Sequence, residues 1–133
     1  MSEYVLVDTN VLLDVLNSDA DWGHWSEQRL SEFANRLVIN PIIYTELCYT
    51  AADVEQVDTA VKVLGLDFKE MSKEALFLTA QAFRVYRERG GTKTAPLADF
   101  FIGAHALALK IPILTRDTER YRSYFPSVPL ISP

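Results

Sequence analysis

The chain alternates short, wholly apolar runs with longer stretches whose apolar positions recur every three or four residues. Tyr4–Val7 is a β-prone run that stops at Asp8, the pattern of a strand buried on both faces of a parallel sheet. Val11–Leu16 has helical character, so the first strand feeds a helix through Asp8-Thr9-Asn10. A second helix is predicted over Ser26–Asn35 and a second strand over Leu37–Ile39. Asn40-Pro41 supplies an N-cap followed by a proline in the first helical position, which predicts a helix over Pro41–Ala52. Val54, Val57, Val61 and Leu64 form another helical stripe, ended at Gly65. Leu66–Phe68 is a candidate third strand, and Ser72 caps a long helix through Glu88 that Gly90-Gly91 stops. Thr92–Ala95 is a polar loop before an apolar helix from Pro96 to Leu109. Ile113–Leu114 is a fourth strand ending in Thr115-Arg116-Asp117, and Leu130–Ile131 beside Pro129 reads as an edge strand.

Strands alternating with helices predict an α/β fold with a central parallel sheet covered on both faces. Sites in such sheets form at the carboxyl ends of the strands, where Asp8 and Asp117 both fall. The length of 133 residues, with no internal repeat or linker, predicts a single domain over 1–133. Hydrophobic residues at 49% and charged residues at 23% exclude a disordered tail or a coiled coil. The longest apolar stretch, Phe100–Leu109, is too short to span a bilayer, and no basic segment precedes an apolar run at the N-terminus. Cys48 is the single cysteine, which excludes an internal disulfide or a cysteine-based zinc site. A soluble, cytoplasmic protein is expected.

The net charge of −5 argues against a general nucleic-acid coat protein, but it hides an asymmetry. Residues 1–61 hold eleven acids and two bases, net −9, whereas 62–133 hold seven acids and eleven bases, net +4. Arg84, Arg87, Arg89 and Lys93 form one basic segment and Arg116, Arg120 and Arg122 another; either one could face a phosphate backbone or simply be a solvated surface.

The informative residues are acids inside apolar segments. Asp8 follows Tyr-Val-Leu-Val, Glu46 sits in a helix otherwise poor in charge, Asp99 is the one formal charge between Pro96 and Leu109, and Asp117 closes Pro112-Ile113-Leu114-Thr115-Arg116. A carboxylate near a core is costly unless it is paired, hydrogen-bonded or metal-bound. Each acid has a structural alternative: Asp8 as a helix cap, Asp99 as a complement to a helix dipole, Asp117 as a turn residue, Glu46 on a solvent face. A single cause covers all four, since clustered carboxylates repel and are stabilised by a hard divalent cation such as Mg²⁺, which can activate water for phosphodiester cleavage. No Gly-rich phosphate loop or nucleophile elbow offers another constellation. His105 lies six positions after Asp99, about 240° around the helix, and is expected to pack, as are Cys48, Trp22 and Trp25.

Four acids in this order resemble the PIN-domain ribonucleases. The matching pieces are Val5-Leu6-Val7-Asp8-Thr9-Asn10-Val11-Leu12-Leu13, then Glu46, then Leu97-Ala98-Asp99-Phe100-Phe101-Ile102-Gly103-Ala104-His105-Ala106, then Ile113-Leu114-Thr115-Arg116-Asp117. The small single-domain length resembles a VapC-type toxin of a toxin–antitoxin pair. The resemblance implies an α/β/α sandwich and a metal-dependent endoribonuclease in which Asp8, Glu46, Asp99 and Asp117 hold Mg²⁺ or Mn²⁺. It makes Asn10 and Thr115 polar supports, and it implies a homodimer and an antitoxin that blocks the site. Arg116 would steady a phosphate, and Arg87 and Lys93 would guide the strand of an RNA, with tRNA or another structured RNA as candidates. The chain departs from the pattern at Phe100 and Phe101, where small or aliphatic residues are common.

The aromatics of Tyr121–Phe125 are expected to pack rather than to stack on bases. Converging acids would repel in the absence of metal, so Asp99→Asn is expected to keep or raise the stability of the metal-free protein. Other readings are a catalytically silent PIN-like binding module, a dehalogenase-like phosphatase and a receiver domain. The phosphatase pattern needs a second acid where Asn10 stands, and Leu66-Asp67-Phe68 and Thr115-Arg116-Asp117 do not supply a receiver's acid and lysine set.

Overall fold

The computed structural model of the chain describes residues 3–133. Strand β1 (Val5–Val7) leads into helices α1 (Thr9–Leu16) and α2 (Gly23–Glu32), and β2 (Leu37–Ile39) into α3 (Pro41–Cys48) and α4 (Val54–Val63). After β3 (Asp67–Phe68) come α5 (Lys73–Glu88) and α6 (Ala98–Leu109), then β4 (Ile113–Leu114), α7 (Glu119–Tyr124) and β5 (Leu130–Ile131). The strands form one parallel sheet in the order β3-β2-β1-β4-β5. The chain builds outward from β1 to β3, crosses back over β1, and continues from β4 to the opposite edge. Crossovers of fixed hand then put helices on both faces, an α/β/α fold. The reversal of direction lies between β1 and β4, which pair at Leu6 with Ile113 and Val7 with Leu114. A crevice opens at the carboxyl ends of such a strand pair.

The core explains why the strands read as continuous apolar runs. Val5, Leu6, Val7, Leu37, Val38, Ile39, Ile113 and Leu114 are all buried. The Asn40 and Ser72 caps follow the sequence signals, accepting from the N–H groups of Ile43 and Ala75, and Asp53 caps α4 in the same way through Gln56 N–H. Boundaries shift where tertiary contacts outweigh local signals. α2 begins at Gly23 instead of Ser26, α3 stops at Cys48 instead of Ala52, and α6 begins at Ala98 instead of Pro96, with Leu97 at its cap. No strand or helix signal marked α7, which is six residues long and held by Tyr121 and Phe125, both buried. Among the described residues no helix is long and apolar enough to cross a membrane.

Phe100, one of the two residues at which the chain departs from the pattern it resembles, has a clear packing role. It is fully buried and meets the rings of Phe83, Tyr86 and Tyr124 at centroid distances of 5.9, 5.4 and 5.3 Å. The cluster joins α5, α6 and α7. Gly103, one turn further along α6, lets the Phe125 ring lie directly on the helix backbone, in space that a Cβ would occupy. Gly103→Ala is expected to lower stability by about 1–2 kcal/mol, because forcing the buried ring aside outweighs the better helix propensity of alanine. The urea midpoint checks this; a midpoint equal to or above wild type shows that Phe125 can relax.

Candidate active site

Each of the four acids occupies the end of an element or the loop beyond it. Asp8 ends β1 and caps α1, its Oδ1 accepting from the Thr9 N–H at 2.8 Å. Glu46 lies in α3, Asp99 in the first turn of α6, and Asp117 in the loop after β4. All four line one cleft of about 580 Å³, together with Thr9, Asn10, Tyr49, Ile102 and Tyr121. The cleft lies at the sheet's switch point, so residues up to 113 positions apart meet there (Asp8 to Tyr121).

Asp8 is the most buried acid of the cleft, at 9% exposure, and its hydrogen bonds tie the site together. Its Oδ2 accepts from the Tyr121 hydroxyl at 2.8 Å, from Thr115 Oγ1 at 2.9 Å and from Asn10 Nδ2 at 3.4 Å. Thr115 has one hydroxyl proton. With that proton given to Asp8, its oxygen accepts from the Asp117 N–H at 3.0 Å and from Asn10 Nδ2 at 3.3 Å. Asn10 Oδ1 in turn accepts from the Arg116 N–H at 3.2 Å. Glu46 is held separately: Thr9 Oγ1 donates to its Oε1 at 2.5 Å. Burial raises the Asp8 pKa to about 6, against the lowering effect of the Tyr121, Thr115 and Thr9 hydrogen bonds and with a further upward push from Glu46. Burial and the Asp8 charge together push the Tyr121 hydroxyl well above its usual value, so it remains a donor.

The donor set suits a hard divalent cation, since every candidate ligand is a carboxylate oxygen. Among the described residues no three acids already stand close enough to share one ion.

The basic residues are placed differently from the expectation. Arg116 does not line the cleft; its Nε and Nη2 donate to Asp14 at 2.6 and 2.8 Å, and its guanidinium lies 5.2 Å from the Trp22 ring centroid. The guanidinium expected to steady a phosphate is committed in this structure to a bidentate pair that anchors the Asp117 loop to α1. Asp14 is buried at 4% exposure and also accepts from Ser26 Oγ at 2.7 Å. Burial alone would raise its pKa, but the hydrogen bonds and charge of its partners hold it below the usual value. Arg87 and Lys93 also lie outside the cleft lining, with Arg87 Nη1 donating to the Lys93 carbonyl at 2.7 Å. His105 packs as expected, buried against Asn40 at 3.1 Å.

Four residues beside the site were not assigned to it from the sequence. Asp14 carried the same signal as the four acids, a charge within the apolar run Val11–Leu16. Thr9 was noted only beside Asp8, Tyr121 only among aromatics expected to pack, and Arg120 only in a basic segment. Arg120 Nε stands 3.4 Å from Asp99 Oδ2. This pair offsets the repulsion around Asp99, so the gain in metal-free stability expected for Asp99→Asn is withdrawn.

The raised Asp8 pKa sets a pH dependence. Because the folded value lies above the unfolded one, the charged carboxylate costs stability; the cost is full above pH 6 and gone below pH 3.8. Asp8→Asn is expected to stabilise the metal-free protein at pH 8 by about 1–3 kcal/mol and to lose that advantage by pH 4. Thermal melts of both proteins in chelator across this range measure it; a difference that is constant with pH refutes the assignment.

No curated protein matches the chain in sequence. Its fold is shared by solved structures of low identity. VapBC from Salmonella typhimurium, bound to DNA, aligns with TM-score 0.75 and 18% identity over 98% of both chains. VapBC2 from Rickettsia felis, bound to a fragment of its promoter, aligns with TM-score 0.72 and 18% identity over 98% of both chains. A toxin–antitoxin complex from Klebsiella pneumoniae aligns with TM-score 0.70 and 21% identity over 93% of this chain and 94% of that one. The model of the PIN domain matches residues 5–125, a span that holds all four acids and every strand except the edge strand β5. The chain is a member of the PIN domain family.

Proposed function

We propose that the protein is a metal-dependent endoribonuclease and the toxin of a toxin–antitoxin pair. The observation that carries the proposal is the convergence of Asp8, Glu46, Asp99 and Asp117, from four separate parts of the chain, on one open cleft. Membership of the PIN family sets aside the phosphatase-like and receiver readings. The toxin role is supported by the structural likeness to VapBC complexes and to the Klebsiella toxin–antitoxin complex, and an antitoxin partner is proposed on the same ground. A homodimer and a cytoplasmic location belong to the same reading.

Asp8 and Asp99 are the proposed direct ligands of Mg²⁺ or Mn²⁺, with Glu46 and Asp117 ligating directly or through water. A bound ion supplies a water of lowered pKa and offsets charge on the leaving oxygen of a phosphodiester. The chain's own residues prepare the site. Tyr121, Thr115 and Asn10 fix Asp8, Thr9 fixes Glu46, and the Asp14–Arg116 pair anchors the loop that presents Asp117. The cleft is broad and open, which suits a splayed single-stranded or loop region of RNA better than a closed small-molecule pocket does.

Purified protein is expected to cleave RNA with Mn²⁺ or Mg²⁺ and to stop when chelator is added. Asp8→Ala should lower the rate about 100-fold or more, and should relieve the growth arrest expected on induction without an antitoxin. A folded Asp8→Ala protein that cleaves and arrests growth like wild type overturns the proposal; a wild type that binds RNA without turnover identifies a binding module. Arg87 and Lys93 remain the proposed guide for the RNA strand. Their joint replacement by alanine should weaken RNA binding and flatten its salt dependence, by about 0.7 in log–log slope for each phosphate no longer neutralised. An unchanged slope removes that segment from the interface.

A further inference from the structure

We propose that Arg120 is the resident counter-ion of the carboxylate cleft, holding Asp99 in the metal-free protein and giving it up when a divalent cation binds. The inference rests on the metal-site reading of the cleft and extends it to a positioning residue outside the four acids. Among the described residues Arg120 is the one cation in an ion pair with a cleft acid.

Its geometry differs from that of the other inward-facing arginine. Arg116 binds Asp14 through two nitrogens at 2.6 and 2.8 Å, a closed pair that no cleft acid shares. Arg120 meets Asp99 at 3.4 Å from Nε to Oδ2, and among the described residues its buried Nη1 has no hydrogen-bond partner. The Asp99 carboxylate accepts no hydrogen bond from any described residue, unlike Asp8 and Glu46. What fixes the Arg120 guanidinium is aromatic: its centre lies 5.2 Å from the Phe100 ring centroid and 5.4 Å from that of Tyr86. A cation over two ring faces is stabilised whether or not a carboxylate is paired with it. Asp99 can therefore exchange its partner without leaving Arg120 stranded. The neighbouring residue, Tyr121, bonds Asp8, so two consecutive positions of α7 touch two of the four acids.

A fixed positive charge beside a ligand opposes the entry of a second cation. The resident guanidinium thus relieves repulsion among the acids while the cleft is without metal, and it lowers cation affinity. Calorimetric titration of the full chain with Mg²⁺ tests this without reference to activity. Arg120→Gln is expected to lower the metal-free melting temperature and to tighten Mg²⁺ binding roughly five-fold, the scale of one nearby charge in a half-exposed cleft. The wild-type protein provides a second readout that needs no variant: the Arg120 Nε–H resonance should shift along the Mg²⁺ titration as its carboxylate partner is withdrawn. Equal or weaker Mg²⁺ binding by Arg120→Gln, or an Arg120 resonance indifferent to saturating Mg²⁺, overturns the proposal while leaving the metal site intact if Asp8→Ala and Asp99→Asn still lose binding. If those two variants bind Mg²⁺ as well as wild type, the metal-site reading itself fails and the role of Arg120 falls with it.

Discussion

Asp8 stands at the end of the central strand, where burial strips most of the water from a carboxylate and other donors must replace it. Those donors come from three different places on the rim of the cleft: Thr9 at the start of α1, Thr115 after β4, and Tyr121 on α7. Satisfying one carboxylate therefore sets the relative positions of three elements. The arrangement remains short of complete compensation, since the Asp8 pKa is still raised to about 6. An acid held this way is well ordered yet better off with a cation nearby, which is the condition a metal ligand has to meet.

The two arginines nearest the site divide the work. Arg116 is used up in the bidentate pair with Asp14, which fastens the Asp117 loop to α1 beneath Trp22. Breaking such a pair strands a buried charge, so it behaves as a structural anchor. Arg120 rests on Phe100 and Tyr86 and makes one loose contact with Asp99. The bulk at Phe100, unusual for the family pattern, has a purpose in this chain as the platform for that guanidinium and the hub of an aromatic cluster joining α5, α6 and α7.

The sheet strands and most helices were legible in the sequence because their signals are local. β1, β2 and β4 are unbroken apolar runs, and Asn40-Pro41 and Ser72 mark helix starts through hydrogen bonds within one turn. The four acids were legible because a charge in an apolar segment needs a reason, and the same logic would have found Asp14. α7 was missed because six residues carry too little periodicity to register, and what holds it is the distant burial of Tyr121 and Phe125.

By itself the sequence determined which segments form the sheet, which carboxylates stand out of place, and the family that their order resembles. These follow from residue type and spacing along the chain. Only the tertiary structure decided the partners of the charged side chains. Arg116 and Arg120 are equivalent as letters, each in a short basic segment near Asp117. One is committed to Asp14 at 102 positions' remove, while the other rests on two aromatic rings beside Asp99. Charge pairing depends on separations of a few ångströms, and those are set by the crossing of the chain at the switch point between β1 and β4, not by proximity along it.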